Sequence, residues 1–270
     1  MTTAGTVFAA PGAPTAWAAL GVAVLMLALW LASIRLRDVS IVDPAWGPAF
    51  VVIAVIAAAT GSGDSGRRWL LAALTAVWGL RLGGYLLWRK LGDREEDRRY
   101  ATMRERKGDA FVPWSLVMIF GLQGLLALIV SLPVQVAAVR SVGLGDGVIP
   151  GVLLFAVGLF FESVGDEQMR RFKADTRSKG QVMDRGLWRY TRHPNYFGDF
   201  CVWWGLWLIA LPAGGTWWTF IGPVVMSTLL IRVSGAALLE RDMAKRRPQY
   251  ADYIQRTSGF IPRPPRRGRV

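Results

Sequence analysis

Residues 189–200 read RYTRHPNYFGDF, and residues 201–214 continue as CVWWGLWLIALPAG. The second segment has the composition of a membrane span, whereas the first is the most polar stretch in the chain that opens onto a long apolar run. The polar segment contains the chain's single histidine, His193, and a carboxylate, Asp199, at the apolar boundary. Because an ionisable group at membrane depth costs roughly 2.5–3.5 kcal/mol on insertion scales, such groups indicate a functional site by default.

The composition of the whole chain is that of an integral membrane protein. Of its 270 residues, 53% are hydrophobic and 13 are tryptophan, and a helix needs about 20 apolar residues to cross the hydrocarbon layer. We therefore predict an all-α integral membrane protein with seven transmembrane helices. No Lys or Arg precedes the first apolar run, so a first span is expected there rather than a cleavable signal peptide. The predicted spans cover residues 12–34, 44–62, 68–88, 113–138, 148–165, 197–213 and 215–235.

The distribution of basic residues predicts the orientation of these helices. Of the 32 Lys and Arg residues, 27 fall in segments 35–42, 89–112 and 166–194 and in the tail from 240. By the positive-inside rule these segments are cytoplasmic, which places the N-terminus outside and the C-terminus in the cytoplasm. Topology and attraction to anionic lipid then explain much of the net charge of +13, so we expect no nucleic-acid partner.

The cysteine and histidine content bears on disulfides and metal sites. A single cysteine, Cys201, excludes an internal disulfide and a cysteine-based zinc site, and a single histidine excludes a histidine cluster. We therefore expect no metal.

A stripe of charged residues is predicted at the cytoplasmic end of the fifth span. Glu162, Asp166, Arg170 and Lys173 recur at spacings of four, four and three residues, which places them on one face of a helix. The stripe is either an amphipathic helix end with internal ion pairs or a row of donors and acceptors for a charged cofactor. Both interpretations stay open from the pattern alone.

The segment around His193 predicts the start of the next helix. Pro194 suits the first helical turn, and Asn195 is a residue type that caps helices. These structural roles leave Asp199, four residues beyond Asn195, without an explanation. The backbone N–H groups at such a helix start also favour phosphate.

Two residues nearer the N-terminus are candidates for catalysis. Asp43 precedes Pro44, so it is either a helix cap or a functional carboxylate. Four-residue steps place Arg81, Tyr85 and Arg89 on one helical face. Tyr85 is either an aromatic residue at the membrane interface or a proton donor, since a nearby cation favours the anionic form of a phenol.

The C-terminal half resembles the steroid 5α-reductases. The strings RHPNYFGDF and ERDMAKRRPQYADYIQRTSGFIP match a pattern that the sterol C14-reductases share, Arg-His-Pro-Asn-Tyr-x-Gly-Asp followed by Arg-Asp, a Tyr and a terminal Ile-Pro. The strings VDPAWG and LRLGGYLLWRKLGDREEDRRY resemble a bacterial branch of that superfamily. The resemblance is specific over residues 150–265.

This resemblance implies a seven-helix enzyme of the bacterial plasma membrane that binds NADPH from the cytosol. The enzyme would reduce a carbon–carbon double bond conjugated to a carbonyl in a steroid-like or polyprenyl-like lipid taken from the bilayer. The catalytic tyrosine of the family falls on Tyr85, and its catalytic glutamate is replaced by Asp43. The family's cofactor contacts fall on Asp166, Arg170, Lys173, Asn195 and Asp199, and the sterol-reductase form of the motif adds Arg192, His193, Arg241, Asp242 and Tyr250.

The resemblance also implies that two parts of a single membrane domain, residues 1–270, have different functions. Helices in 1–138 are expected to hold the substrate. Residues 139–270 are expected to bind the cofactor and to end in a mobile basic tail, IPRPPRRGRV.

An alternative chemistry shares part of the motif. Isoprenylcysteine carboxyl methyltransferases have the Arg-His-Pro-x-Tyr-x-Gly string and the Glu240-to-Tyr250 pattern, and they use S-adenosylmethionine. The residue after Gly198 discriminates, because the reductases have a carboxylate there and the methyltransferases usually an apolar residue. Asp199 favours the reductase. A transporter is disfavoured, because its polar groups would be expected near the bilayer midplane rather than at one face.

Overall fold

The computed structural model describes residues 12–92, 95–233 and 249–266. Over these ranges the protein is helical without β-strands, and one isolated bridge joins Thr191 and Ser258. In chain order the helices are α1 (Gly12–Leu36), α2 (Val42–Thr60), α3 (Ser65–Gly92), α4 (Arg98–Val130), α5 (Leu132–Ala137), α6 (Ile149–Ala174), α7 (Pro194–Ala210), α8 (Ile221–Thr228) and α9 (Gln249–Arg256).

Six helical segments of the described chain are long and apolar enough to cross a membrane. They correspond to the first six predicted spans, and they support the all-α integral membrane class. The seventh predicted span, 215–235, coincides with a shorter apolar helical stretch, Trp217–Arg232. Two glycines with positive φ, Gly214 and Gly215, precede this stretch, and the chain directly after residue 233 lies outside the described ranges.

The contacts of the chain define two compact units. The first unit contains the chain up to Val148 together with Leu206–Gly222, and the second contains Ile149–Gly205 together with the chain from Pro223. The predicted division into substrate-binding and cofactor-binding parts at residue 138 concerns function and stays a prediction.

In the first unit, α2 and α3 pack closely as an antiparallel pair. A Cβ added to Gly79 would lie 2.6 Å from the carbonyl oxygen of Gly47 and 2.8 Å from Cγ2 of Val51. A Cβ added to Gly83 would lie 2.9 Å from the carbonyl oxygen of Pro44. The glycines therefore allow the two backbones to touch. The contact lies toward the ends of α2 and α3 that are predicted to face the cytoplasm.

Substitution of Gly79 tests this contact. We expect Gly79→Ala to destabilise the protein by about 1–3 kcal/mol, because the added methyl group overpacks a backbone contact. Gly84→Ala, on the same helix, is the matched control, since its Cβ would meet nothing within 4 Å. Melting temperatures of the detergent-solubilised variants give the measurement. If Gly79→Ala melts as high as Gly84→Ala, the close α2–α3 packing is wrong.

Arg67 is an unexpected core residue of the first unit. It falls between the predicted spans 44–62 and 68–88, in a loop on the outer side of the predicted topology, yet it is fully buried. Its guanidinium donates to the carbonyl oxygens of Ile209 at 2.5 Å, Gly143 at 2.7 Å and Val142 at 3.3 Å. Because Ile209 belongs to the last turn of α7, Arg67 also places a cation where the helix dipole favours one.

Candidate functional site

In the second unit, glycines bring α6 against the start of α7. A Cβ added to Gly158 would lie 2.5 Å from the carbonyl oxygen of Gly198, and one added to Gly165 would lie 3.1 Å from the ring of Pro194. A Cβ added to Gly198 would lie 2.5 Å from the backbone nitrogen of Glu162. This close approach brings the acidic residues of α6 beside the first two turns of α7.

The polar residues at this contact are the buried acids Glu162, Asp166 and Asp199 and the half-buried Asn195, which together we call the carboxylate cluster. The three acids are only 3%, 6% and 8% exposed, in that order. Asn195 Nδ2 donates to Asp166 Oδ1 at 3.2 Å, which links α7 to α6. Three buried carboxylates carry a large desolvation cost at the end of apolar helices, and this cost indicates a functional role.

His193 and Arg192 lie immediately before α7 and are held by different contacts. His193 is 4% exposed, and its ring stacks on Tyr196 with a centroid distance of 5.4 Å and an interplanar angle of 9°. Arg192 Nη1 donates to the carbonyl oxygens of Ile254 at 3.1 Å and Thr257 at 2.6 Å. Arg192 therefore binds the C-terminal end of α9, where free helix carbonyls favour a cation.

The segment from α9 to residue 266 packs on the segment that directly precedes α7. The hydroxyl of Thr191 donates to the carbonyl oxygen of Phe260 at 2.7 Å, and the backbone N–H of Arg263 donates to the carbonyl oxygen of Tyr190 at 3.0 Å. Tyr250, at the start of α9, is buried at 5% exposure. The predicted mobile tail is thus hydrogen-bonded within the second unit at Arg263.

The predicted stripe on α6 divides into two parts. Arg170 donates to Glu167 through Nε at 2.6 Å and Nη2 at 2.7 Å, so the internal ion pair foreseen for this helix forms with Glu167. Asp166 lies in the carboxylate cluster, whereas Lys173 is exposed. The stripe therefore combines an amphipathic helix end with buried acids, and the two interpretations apply to different residues.

In the first unit, Asp43 connects α2 to α4. Its Oδ1 accepts a hydrogen bond from the Tyr100 hydroxyl at 2.8 Å, and its Oδ2 accepts one from Arg99 Nη2 at 2.9 Å. Helix α2 begins at Val42, so Asp43 lies inside the first turn, and its interpretation as a helix cap is wrong. Asp38 caps the short 3₁₀ helix Val39–Ile41 that precedes α2, since its side chain accepts a hydrogen bond from the backbone N–H of Ser40.

Two further ion pairs fix the loops beside Asp43. Lys90 Nζ lies 2.6 Å from Asp38 Oδ2. Arg104 donates to both carboxylate oxygens of Glu96, from Nη2 at 2.7 Å and from Nε at 3.0 Å. Burial opposes ionisation of Asp38, but the hydrogen bonds from Lys90 and Ser40 together outweigh it and lower the pKa of this carboxyl. These loops therefore hold a fixed arrangement of charges at the helix ends.

Tyr85 is half-buried on α3 and lies beside the cation predicted for it. The guanidinium carbon of Arg81 is 5.6 Å from the centre of the Tyr85 ring, and the ring stacks on Trp88 at 6.1 Å. Arg89, one turn further along α3, interacts electrostatically with Asp43. The hydrogen bonds given above for Asp43 go to α4, and the catalytic pair of Tyr85 and Asp43 that the resemblance implies stays a prediction.

The first unit also contains an apolar cleft of about 820 Å³ between α1, α2 and α3. Its lining is almost entirely hydrocarbon and includes Leu29, Pro48 and Leu87, with Lys90 as the charged member. Gly83 and Gly84 line the cleft directly before Tyr85 in the chain, although Tyr85 and Asp43 are not among its lining residues. The size and apolar lining of the cleft suit a lipid chain.

The chain was compared with known protein families, curated proteins and solved structures. The model of one family, described as "Protein of unknown function (DUF1295)", matches residues 29–257. The chain belongs to the DUF1295 family. No curated protein and no solved structure matches it. The region matched by DUF1295 contains both the carboxylate cluster and the surroundings of Asp43.

Within this DUF1295 chain, the structure brings together only part of the predicted cofactor site. Asp166, Asn195 and Asp199 share the carboxylate cluster. Arg241 and Asp242 lie outside the described residues. Tyr100 is not among the predicted site residues, although it ends the string LRLGGYLLWRKLGDREEDRRY that resembles the superfamily. A tyrosine embedded in such a charged string is a signal that could have identified it.

Proposed function

We propose that this DUF1295 protein is an NADPH-dependent membrane reductase. It reduces a carbon–carbon double bond conjugated to a carbonyl in a steroid-like or polyprenyl-like lipid. The protein has seven spans in this proposal, with its N-terminus outside and its polar loops in the cytoplasm of a bacterium. The distribution of basic residues supports that orientation.

The observation that carries the proposal is the carboxylate cluster. Asp166 contributes a carboxylate from α6, and the first two turns of α7 contribute the amide of Asn195 and the carboxylate of Asp199. These groups lie at the polar ends of two apolar helices. Carboxylates accept hydrogen bonds from ribose hydroxyls, and an amide both donates to and accepts from a carboxamide. The chemistry of this donor set therefore fits the sugar and nicotinamide parts of the cofactor.

Cations near the cluster would bind the phosphate groups of the cofactor. Arg170 and Lys173 follow Asp166 on α6, and Lys173 is exposed. Arg and Lys form charge-assisted hydrogen bonds with phosphate oxygens. When bound, NADPH supplies the hydride, and the protein contributes binding, orientation and electrostatics.

Tyr85 is the proton donor in this proposal. Reduction of an enone develops negative charge on the carbonyl oxygen, which a fixed hydrogen-bond donor stabilises. The Tyr85 ring lies beside the Arg81 cation. Gly83 and Gly84, which directly precede Tyr85 on α3, line the apolar cleft. Asp43 is a positioning residue, since it binds α4 and interacts with Arg89 one turn from Tyr85.

Thermal stability in detergent tests the cofactor class. A ligand that binds only the folded state stabilises it by about 2.7 kcal/mol at a hundred times its dissociation constant. We therefore expect NADPH to raise the melting temperature of the full chain, and S-adenosylmethionine to leave it unchanged. Stabilisation by S-adenosylmethionine alone would instead support the methyltransferase that shares the Arg-His-Pro-x-Tyr-x-Gly string. No response to NADPH at millimolar concentration would contradict the reductase.

A further inference from the structure

Lys90 lines the apolar cleft of the first unit and also forms an ion pair with Asp38. Among the described residues that line the cleft, it is the one with a charged side chain. Its Nζ lies 2.6 Å from Asp38 Oδ2 and donates to the backbone carbonyl oxygen of Glu95 at 2.6 Å. Leu36 and Ile41, which lie on either side of Asp38 in the chain, also line the cleft. The ion pair therefore lies beside the hydrocarbon lining, at the predicted cytoplasmic ends of α1 and α3.

The ion pair balances the charge that Lys90 brings to the cleft. The Lys90 and Asp38 side chains are only 19% and 15% exposed, so solvent weakens their attraction little. Burial opposes ionisation of Asp38, but hydrogen bonds from Lys90 and Ser40 lower the pKa of its carboxyl, which is therefore charged at neutral pH. Arg35 and Arg37 are exposed and do not line the cleft, so solvent screens their effect on a ligand there.

Lys90 keeps hydrogen-bonding capacity although its charge is balanced. An ammonium group has three N–H donors, and the contacts of Lys90 to described residues use two of them, for Asp38 and for the carbonyl of Glu95. A neutral oxygen in the cleft can accept from the third donor without disturbing the ion pair. An anionic head group would be repelled by the Asp38 carboxylate and would lose its hydration, and a cation that is already paired offsets this cost only in part.

We propose that the Lys90–Asp38 pair selects the polar end of the lipid that the cleft binds. The pair accepts a neutral hydroxyl or carbonyl oxygen and rejects a phosphate or a carboxylate. Lys90 is a binding residue in this role, and Tyr85 stays the proton donor of the proposed reductase. The inference rests on the proposed function where it names the substrate class, a neutral lipid rather than an acidic one. The selectivity itself is a binding property, so it is measured without cofactor or turnover.

Native mass spectrometry of the full chain in detergent measures this selectivity. The probes are geranylgeraniol and geranylgeranyl monophosphate, which share one hydrocarbon chain and differ in the charge of the polar end. Each probe is added at the same mole fraction of the micelles. We expect wild type to bind the alcohol at least tenfold more tightly than the phosphate. Equal affinity, preference for the phosphate or binding of neither probe would overturn the proposal.

Gly84→Phe tests whether the alcohol occupies the cleft. Gly84 lines the cleft, and a Cβ there would meet nothing within 4 Å, so an added side chain takes up part of the cleft volume. We expect this variant to bind the alcohol at least tenfold more weakly than wild type, at a similar melting temperature. Gly92→Phe is the matched control, because a Cβ at Gly92 also meets nothing within 4 Å and Gly92 does not line the cleft. Equal binding by the two variants would contradict the proposal.

Asp38→Asn tests the ion pair. The amide oxygen of asparagine can still accept from the backbone N–H of Ser40, whereas the counter-charge of Lys90 is removed. Binding of the phosphate should therefore rise at least tenfold, and the double variant Asp38→Asn with Lys90→Met should lose this gain. If Asp38→Asn melts near wild type and keeps the wild-type preference for the alcohol, the ion pair does not select the ligand.

The melting experiment with NADPH separates this inference from the proposed function. A response to NADPH without selective binding of the alcohol would support the reductase and exclude the selectivity of the cleft. Selective binding of the alcohol without a response to NADPH would contradict the reductase, and the cleft would keep its neutral ligand.

Discussion

Tyr85→Phe is expected to lower turnover of an enone lipid by about 10²–10⁴-fold, because in the proposed mechanism it removes the proton donor that acts in the transition state. Substitution of a half-buried phenol by a phenyl ring keeps the contact with Trp88 and the cation over the ring face. The melting temperature and the NADPH dissociation constant should therefore stay close to those of wild type. Turnover and melting temperature are measured on the same detergent-solubilised preparation.

Tyr100→Phe is the matched comparison for this experiment. Tyr100 donates to Asp43 and is 7% exposed, so its loss removes a hydrogen bond to a charged group worth about 1.5–3 kcal/mol. Its melting temperature should fall while the folded enzyme keeps most of its turnover. Near-normal turnover in Tyr85→Phe would exclude Tyr85 from the mechanism. If Tyr100→Phe shows the large loss of turnover instead, the phenol bound to Asp43 becomes the proton donor.

Asp199→Ala is expected to raise the NADPH dissociation constant at least tenfold, which corresponds to about 1.4 kcal/mol. The carboxylate is 8% exposed and lies one turn beyond Asn195 on α7, and in the proposed reductase its loss removes an acceptor for the hydroxyl groups of the cofactor. Fluorescence titration of the solubilised protein with NADPH gives the constant.

Asp175→Asn is the control for the Asp199 substitution. Asp175 lies in the same unit, directly after α6, where hydrogen bonds from Arg177 lower the pKa of its carboxyl. It lies outside the carboxylate cluster, so NADPH affinity should not change. Unchanged affinity in Asp199→Ala would remove this residue from the cofactor site, and saturable binding of S-adenosylmethionine would replace the reductase by the methyltransferase.

The limits of the sequence are clearest at three charged residues. Arg67 follows the turn-forming string GSGDSG and has the pattern of a loop residue, but carbonyl groups from distant parts of the chain bury it. Arg192 matches a cofactor motif, and its guanidinium binds the end of α9. Arg170 belongs to the predicted stripe, and its guanidinium binds Glu167, an acid that the stripe did not include.

Each of these differences has the same origin. The spacing of residues along a helix predicts which side chains share a face, but it does not predict which of several acids a flexible arginine will select. Partners from other helices are decided by packing, and the glycines at 158 and 198 could be identified as contact points only when both helices were in place.

The sequence alone determined the helical membrane class, the first six apolar segments and the polar start of α7. These properties follow from local hydrophobicity over about 20 residues and from the helical period, so each segment carries its own signal. Tertiary structure alone decided the partner of Asp43, which lies 57 residues away at Tyr100, and the burial of Arg67 against the carbonyl groups of Ile209 and Gly143. Such contacts depend on how the helices pack, and the sequence of one helix does not specify its neighbours. Apolar helix faces are similar to one another, so only the complete set of close contacts selects one arrangement.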